Sequence, residues 1–355
     1  MKNSKKIIIV SGGTGGHIYP GLNIAYKLIE KGWDVRWLGT INRMEADIIP
    51  KKGIKIYLIK FFKFEKKNIW SKIFTLFKLI KPMYESILIY KSYKPNVVLT
   101  MGSYISGPSG IAAWLCGIPL IIHEQNSIPG ITNNFLSKIS KINMQAFPNT
   151  FTNGILVGNP LSKEIIKLSL YKKNILKYNF PLHILIMGGS QGSNIINNIG
   201  VQLAKILKNK VIILHQVGKG NLKNISLSFL DKYQNKFYSV TEYISDIHNA
   251  YKWADIVISR SGAMTVSEIS AIGLPAIFIP FKHKDNQQYL NALRLEKIGA
   301  AKIFDQNNLN INDIINTLLS WNKKILTIMS KRSRNISLIN STELIYKEIK
   351  NIFIN

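Results

Sequence analysis

The stretch Ile256 to Gln288, IVISRSGAMTVSEISAIGLPAIFIPFKHKDNQQ, decides how the rest of the chain is read. Ile256 to Ser259 is a short β-branched run bounded by Asp255 and Arg260, the pattern of a buried parallel strand. Ser261 and Gly262 predict a turn, and Ala263 to Ala271 predicts a short helix carrying Ser267 and Glu268. Gly273 and Pro275 stop that helix, and Ala276 to Pro280 predicts the next strand. In open α/β sheets a ligand sits outside the carboxyl ends of the strands, where amides at a helix start receive an anion. A carboxylate in that neighbourhood suits a neutral diol, because its two oxygens accept two hydroxyl protons. Phosphate on these amides and ribose on Glu268 describe a nucleotide site; the plainer alternative is a buried βαβ unit with a merely solvated Glu268.

The chain around this stretch has 355 residues, enough for two domains that each bury a core. Its 46% hydrophobic content excludes wholesale disorder. A single cysteine, Cys116, has no partner for an internal disulfide and excludes a cysteine-cluster metal site. The apolar run Ile7 to Val10 is too short for a secretion signal. Gly110 to Ile122, interrupted by Pro119, falls short of the roughly 18 residues of a membrane-spanning helix. The formal charge of +28 admits nucleic-acid binding, attraction to an anionic membrane face, or a compositional bias towards Lys, Asn and Ile. Lysines are spread over the whole length and no nucleic-acid-binding motif appears, so no nucleic-acid partner is expected.

The first half opens with a strand, Lys6 to Val10, running into Ser11-Gly12-Gly13-Thr14-Gly15-Gly16-His17 and a helix to about Lys31. Glycines there let backbone amides approach a ligand closely. The dinucleotide fingerprint fails at Ile18, the following strand Val35 to Leu38 ends in Gly39 without an acidic residue, and the Walker pattern is absent. NAD and ATP readings both weaken. His17 stands at the mouth of this loop, where a histidine is either structural or an acid–base group. Val97 to Thr100 predicts a strand followed by Met101-Gly102-Ser103-Tyr104-Ile105-Ser106-Gly107-Pro108, and Pro119 to His123 one followed by Glu124-Gln125-Asn126. Three loops that follow parallel strands share one sheet edge. Asn126 is read either as a ligand to a sugar hydroxyl or amide, or as a loop cap.

Between these lies FFKFEKKNIWSKIFTLFKLIKPMYESILIYKSY, residues 61 to 93. Trp70, Ile73, Phe74 and Phe77 follow one helix face, with Lys66, Lys67, Lys72, Lys78 and Lys81 around them. Such a segment lies in a bilayer interface over anionic headgroups, or packs inward with its lysines wet.

Val157-Gly158-Asn159-Pro160 breaks the pattern, which predicts domains at 1–160 and 161–355, the last helix packing back on the first domain. Beyond it Ile184 to Met187 runs into Gly188-Gly189-Ser190-Gln191-Gly192-Ser193, a second glycine loop. Thr241-Glu242-Tyr243-Ile244 offers Ile244 to a flat base, and Gln287 and Gln288 offer amides to sugar hydroxyls. The fold class expected is α/β, two doubly wound Rossmann-like domains facing each other across a cleft.

Read in order, GGTGGHIYP, MGSYISGP, HEQNSIPGITN, VGNP, GGSQGS, TEYI and SRSGAMTVSEI…GLPAIFIPF.HKDNQQ resemble the MurG family, over residues 11 to 288. The resemblance implies a GT-B glycosyltransferase that moves N-acetylglucosamine from UDP-N-acetylglucosamine onto a lipid-linked muramyl-pentapeptide in peptidoglycan synthesis. It implies a peripheral enzyme of the cytoplasmic face of the bacterial inner membrane, held through Trp70, Phe74, Phe77 and neighbouring lysines. Carried over by position, the donor contacts are Thr14, Gly15, Gly16, Asn126, Ser190, Ile244, Ala263, Met264, Thr265, Val266, Ser267, Glu268 and Gln288. His17 is the expected base in an inverting displacement. The Ser190 and Ala263 loop amides are expected to stabilise the departing UDP. With no Asp-x-Asp pair in the chain, no metal and no cofactor are expected. The family tends to place arginine two residues after Asn-Pro; here that position is Ser162, and the adjacent Lys163 brings charge without bidentate geometry.

Overall fold

The computed structural model describes residues 4–61, 69–171, 181–225, 237–283 and 285–353, with backbone alone for 69–78 and 224. The chain divides into two compact units, 1–161 with 340–355, and 162–339. The side chains of Trp70, Phe74, Phe77, Lys72 and Lys78, and the whole of Lys66 and Lys67, lie outside the described residues.

The first unit is built on seven parallel strands, β1 (Lys6–Val10), β2 (Asp34–Thr40), β3 (Lys55–Ile59), β4 (Val97–Thr100), β5 (Leu120–Glu124), β6 (Ile142–Gln145) and β7 (Ile155–Leu156). Their order is β3-β2-β1-β4-β5-β6-β7. The inner strands read as unbroken apolar runs, IIIV in β1 and VVLT in β4, because helices cover both faces of a parallel sheet. Alternation along β1 then divides the core. Ile7 and Ile9 pack with Leu22, Ala25 and Leu28 of the helix Gly15–Glu30, and with Ile345 and Ile349 of the helix Ser341–Asn351. Ile8 and Val10 face the opposite way, onto Tyr90 and Tyr93 of the helix Ile69–Tyr93 and Ala112 and Ala113 of the helix Ser106–Leu115.

The second unit repeats the plan with β8 (Leu182–Met187), β9 (Val211–Gln216), β10 (Tyr238–Thr241), β11 (Ile256–Ser259), β12 (Ala276–Phe278) and β13 (Ala301–Ile303), in the order β10-β9-β8-β11-β12-β13. The helix predicted after Gly262 spans Ala263–Ile272 and ends at Gly273 in the left-handed conformation, φ 68°, which glycine adopts without a Cβ clash. Strand order reverses between β1 and β4 in one unit and between β8 and β11 in the other. Loops diverge at such a switch point and leave a crevice at the carboxyl edge, and all of the glycine loops singled out in the sequence fall there.

Candidate active site

In the first unit the loops after β1, β4 and β5 meet at one sheet edge, because these strands are parallel neighbours. Gly13 and Gly102 turn with φ of 90° and 87°. The buried Glu45 braces the first loop, its carboxylate accepting from Gly13 N at 3.0 Å and Thr40 N at 3.0 Å. A Cβ on Gly12 would meet Glu45 Oε1 at 2.2 Å and push that carboxylate off its brace. Thr14 is the N-cap of the helix Gly15–Glu30 and makes no side-chain capping bond; Gly15 and Gly16 are its first residues, whose amides lack intrahelical partners.

His17, half-buried in the first turn, sits against the backbone of Gly102, where a Cβ would approach its Cε1 to 3.2 Å. Its Nδ1 lies 2.7 Å from Gln125 Oε1. Behind it, Gln125 Nε2 lies 2.9 Å from His123 Nδ1, and His123 Nε2 lies 2.9 Å from the Gly158 carbonyl oxygen. Burial pushes the His123 imidazole down to about 4, against the opposing pull of the Gly158 carbonyl and with the help of neighbouring His17.

Glu124 is differently employed. It accepts from Asn126 N at 3.0 Å, Asn126 Nδ2 at 3.0 Å, Gly130 N at 3.1 Å and Asn133 Nδ2 at 2.9 Å. Four donors saturate a carboxylate, so Glu124 is a stake for the loop rather than a base. Asn126 is thereby held as that loop's cap, its side-chain amide committed to Glu124.

In the second unit the loop 188–193 is packed so closely that a Cβ on Gly192, φ 77°, would lie 2.0 Å from the Val217 carbonyl oxygen. Gln216 Nε2 donates to the Gly189 carbonyl at 3.0 Å, and Lys219 N to the carbonyl of the exposed Ser190 at 3.2 Å. Arg260 joins three loop ends, donating to the carbonyls of Ile279 (2.9 Å) and Pro280 (3.0 Å), to Gln306 Oε1 (2.9 Å) and to Ser193 Oγ (2.8 Å).

The helix Ala263–Ile272 starts at this edge. Val266 N donates to the Gly262 carbonyl at 2.9 Å, closing the first helical bond, and its side chain is buried. The amides of Ala263, Met264 and Thr265 precede that bond and have no intrahelical partner, while the Val266 side chain packs inward. Met264, Thr265, Ser267 and Glu268 are half-buried. Tyr251 OH donates to Glu268 Oε2 at 3.0 Å. Burial pushes Glu268 up to about 7, with the Tyr251 hydroxyl pulling the other way. Ile244 is half-buried beyond β10. Gln288, the second residue of the helix Gln287–Lys297, accepts from Phe281 N at 2.9 Å, which fixes its amide group. Ser162 N-caps the helix Lys163–Leu170, accepting from Ile165 N at 3.2 Å, and its Oγ lies 3.3 Å from His248 Nε2.

The sequence therefore named His17 and Glu268 but missed what holds them. Gln125 and His123 stood in a quoted motif, at a strand's polar end. Arg260 shows in the sequence only as the boundary of a strand. Tyr251 carries no local signal, being an aromatic in another helix.

Two family models match, the glycosyltransferase family 28 N-terminal domain over residues 7–144 and its C-terminal domain over 183–349. The chain belongs to glycosyltransferase family 28. A family 28 relative from Baumannia cicadellinicola subsp. Homalodisca coagulata, a UDP-N-acetylglucosamine–N-acetylmuramyl-(pentapeptide) pyrophosphoryl-undecaprenol N-acetylglucosamine transferase, is 48% identical over 346 residues, 97% of each chain. The crystal structure of Acinetobacter baumannii MurG superimposes with a TM-score of 0.84 at 32% identity, covering 98% of this chain and 99% of that one. A UDP-N-acetylglucosamine 2-epimerase from Neisseria meningitidis matches at TM-score 0.70 and 14% identity over 98% and 100% of the two chains, a likeness of fold alone.

Proposed function

We propose that this chain transfers N-acetylglucosamine from UDP-N-acetylglucosamine to an undecaprenyl-pyrophosphoryl muramyl-pentapeptide, inverting the anomeric carbon. The observation that carries the reading is the end-to-end 48% identity to a relative of that name. The chemistry of the site agrees with it. Amides of Ala263, Met264 and Thr265 receive the diphosphate, and Glu268 Oε1, opposite the oxygen that Tyr251 occupies, accepts from the ribose diol. The acceptor hydroxyl oxygen bonds to the anomeric carbon as the carbon–oxygen bond to UDP breaks, and the bonding pair leaves on the β-phosphate. The hydroxyl proton passes to His17. Glu124, its lone pairs occupied, is poorly suited to take it.

The membrane reading extends to described side chains. Ile80, Tyr84 and Leu88 recur every four residues along the helix Ile69–Tyr93 and are each about half exposed, as are Trp114 and Leu115 at the end of the helix packed beside it. Apolar residues on a chain of net charge +28 suit the interface of an anionic bilayer. No helix among the described residues is long and apolar enough to cross a membrane.

The test is a transfer assay with the lipid acceptor, beside thermal shift with UDP-N-acetylglucosamine, UDP-glucose and ADP-sugars. Stabilisation by the first and product with acceptor are expected. Donor turnover without acceptor, or preference for ADP-sugars, overturns the reading.

A further inference from the structure

The hydrogen bonds behind His17 have only one consistent set of proton positions, and it reaches from a backbone carbonyl to the ring that contacts substrate. The Gly158 carbonyl can only accept, so His123 Nε2, 2.9 Å away, carries a proton. The His123 ring is fully buried, and its pKa lowered to about 4 keeps it neutral, so its Nδ1 is a lone pair. The Gln125 atom facing that lone pair at 2.9 Å must therefore donate, and the same atom also meets the His123 carbonyl oxygen at 3.1 Å, which again can only accept. Both neighbours make it the NH2 group. The side-chain carbonyl of Gln125 then faces His17 Nδ1 at 2.7 Å, and His17 must donate from Nδ1. Gln125 is 1% exposed, and its own backbone carbonyl accepts from Asn159 Nδ2 at 3.0 Å. The Val157–Pro160 segment thus grips the relay twice, through Gly158 and through Asn159.

We propose that Gln125 is a positioning residue that holds His17 in the tautomer with its proton on Nδ1, leaving Nε2 as the atom that takes the acceptor proton, and that His123 on Gly158 sets the orientation of Gln125. This rests on the reading of His17 as the base. A neutral histidine with the opposite tautomer would present Nε2–H to the substrate and have no lone pair there to receive a proton. An amide serves this purpose well, because an uncharged acceptor fixes the ring without raising its basicity as a carboxylate partner does. Glu124, one residue away and fully employed in the loop, leaves the position beside His17 to the amide.

The test is 15N–1H long-range correlation NMR of the full chain labelled at its six histidines, with His17→Ala to identify the His17 signals. Wild-type His17 is expected to carry its proton on Nδ1, and Gln125→Leu to give a mixture of tautomers. In the transfer assay Gln125→Leu is expected to lower kcat by at least about tenfold, within the roughly 10²–10⁴-fold that a general base supplies, with donor KM within about twofold. Introduced into His17→Ala, it is expected to cost nothing further. A wild-type His17 protonated on Nε2 alone overturns the proposal, as does a Gln125→Leu loss that is the same with and without His17. The wild-type spectrum needs no variant, so a poorly folding Gln125→Leu still leaves the proposal exposed to refutation. Full activity of His17→Ala overturns the base assignment instead, and the spectrum still reads the tautomer.

Discussion

At the scale of residues, the proposed chemistry rests on two side chains, and each is hydrogen-bonded to a neighbour, His17 to Gln125 and Glu268 to Tyr251. His17→Ala should lower kcat roughly 10²–10⁴-fold with donor affinity intact, as single-turnover rates and UDP thermal shifts will tell. If Glu268 holds the ribose as proposed, it does so best as a carboxylate, and burial raises its pKa to about 7. Donor affinity is therefore expected to be flat above that pH and to fall as the pH drops below it. Calorimetric titration with UDP-N-acetylglucosamine, whose diphosphate has no proton that titrates near neutrality, should show the pH dependence vanish in Glu268→Gln. Tyr251→Phe removes the hydroxyl that opposes the rise, so it should move the midpoint upward. Ser162 illustrates a different adjustment. At the position where the resemblance leads us to expect arginine, this chain carries a helix cap, and Ser162→Ala should cost about 1 kcal/mol in denaturant unfolding.

At the scale of elements, glycine loops set how close backbone comes to ligand. Gly192→Ala combines a φ of 77° with a contact of 2.0 Å to the Val217 carbonyl, and should destabilise the second unit by at least about 1–3 kcal/mol and abolish UDP stabilisation. These loops were legible in the sequence because each follows a short β-branched run such as IIIV or IVIS bounded by turn residues, the pattern of a doubly covered parallel strand. Strands β3, β6, β7 and β13 are not legible because exposed or half-exposed positions interrupt them, so that KIYLI or INMQ lacks a decisive period. The braces were illegible for another reason. Gln125 to His17 spans 108 positions and Arg260 to Ser193 spans 67, and pairings of that range leave no local spacing to read. On the helix Ile69–Tyr93, Tyr84→Ser with Leu88→Ser should weaken sedimentation with anionic vesicles while leaving UDP binding unchanged.

At the scale of the whole molecule, buried titrating groups shape stability in acid. His123 and His215 are pushed down to about 4 by burial, so the unfolded chain binds their protons between that pH and 6.5 while the folded chain does not. Stability therefore rises with pH across this window, by up to roughly 3 kcal/mol for each histidine. Glu268, raised to about 7, acts in the opposite sense, since the folded chain holds its proton longer and stability falls as pH climbs from the ordinary glutamate range to 7. Two groups outweigh one, so Tm should drop on acidification from pH 6.5 to 4. Glu268→Gln should steepen that drop and His215→Gln should flatten it, as scanning calorimetry at several pH values will reveal.

The helix Ser341–Asn351 supplies Ile345 and Ile349 to a core otherwise made from residues 7 to 157. During synthesis, the unit that leaves the ribosome first consequently remains short of part of its interior until the last segment has emerged. Residues 162–339 form an uninterrupted unit and have everything they require earlier. A chain truncated after residue 339 and released should therefore yield a protease-resistant second unit beside a protease-sensitive first one.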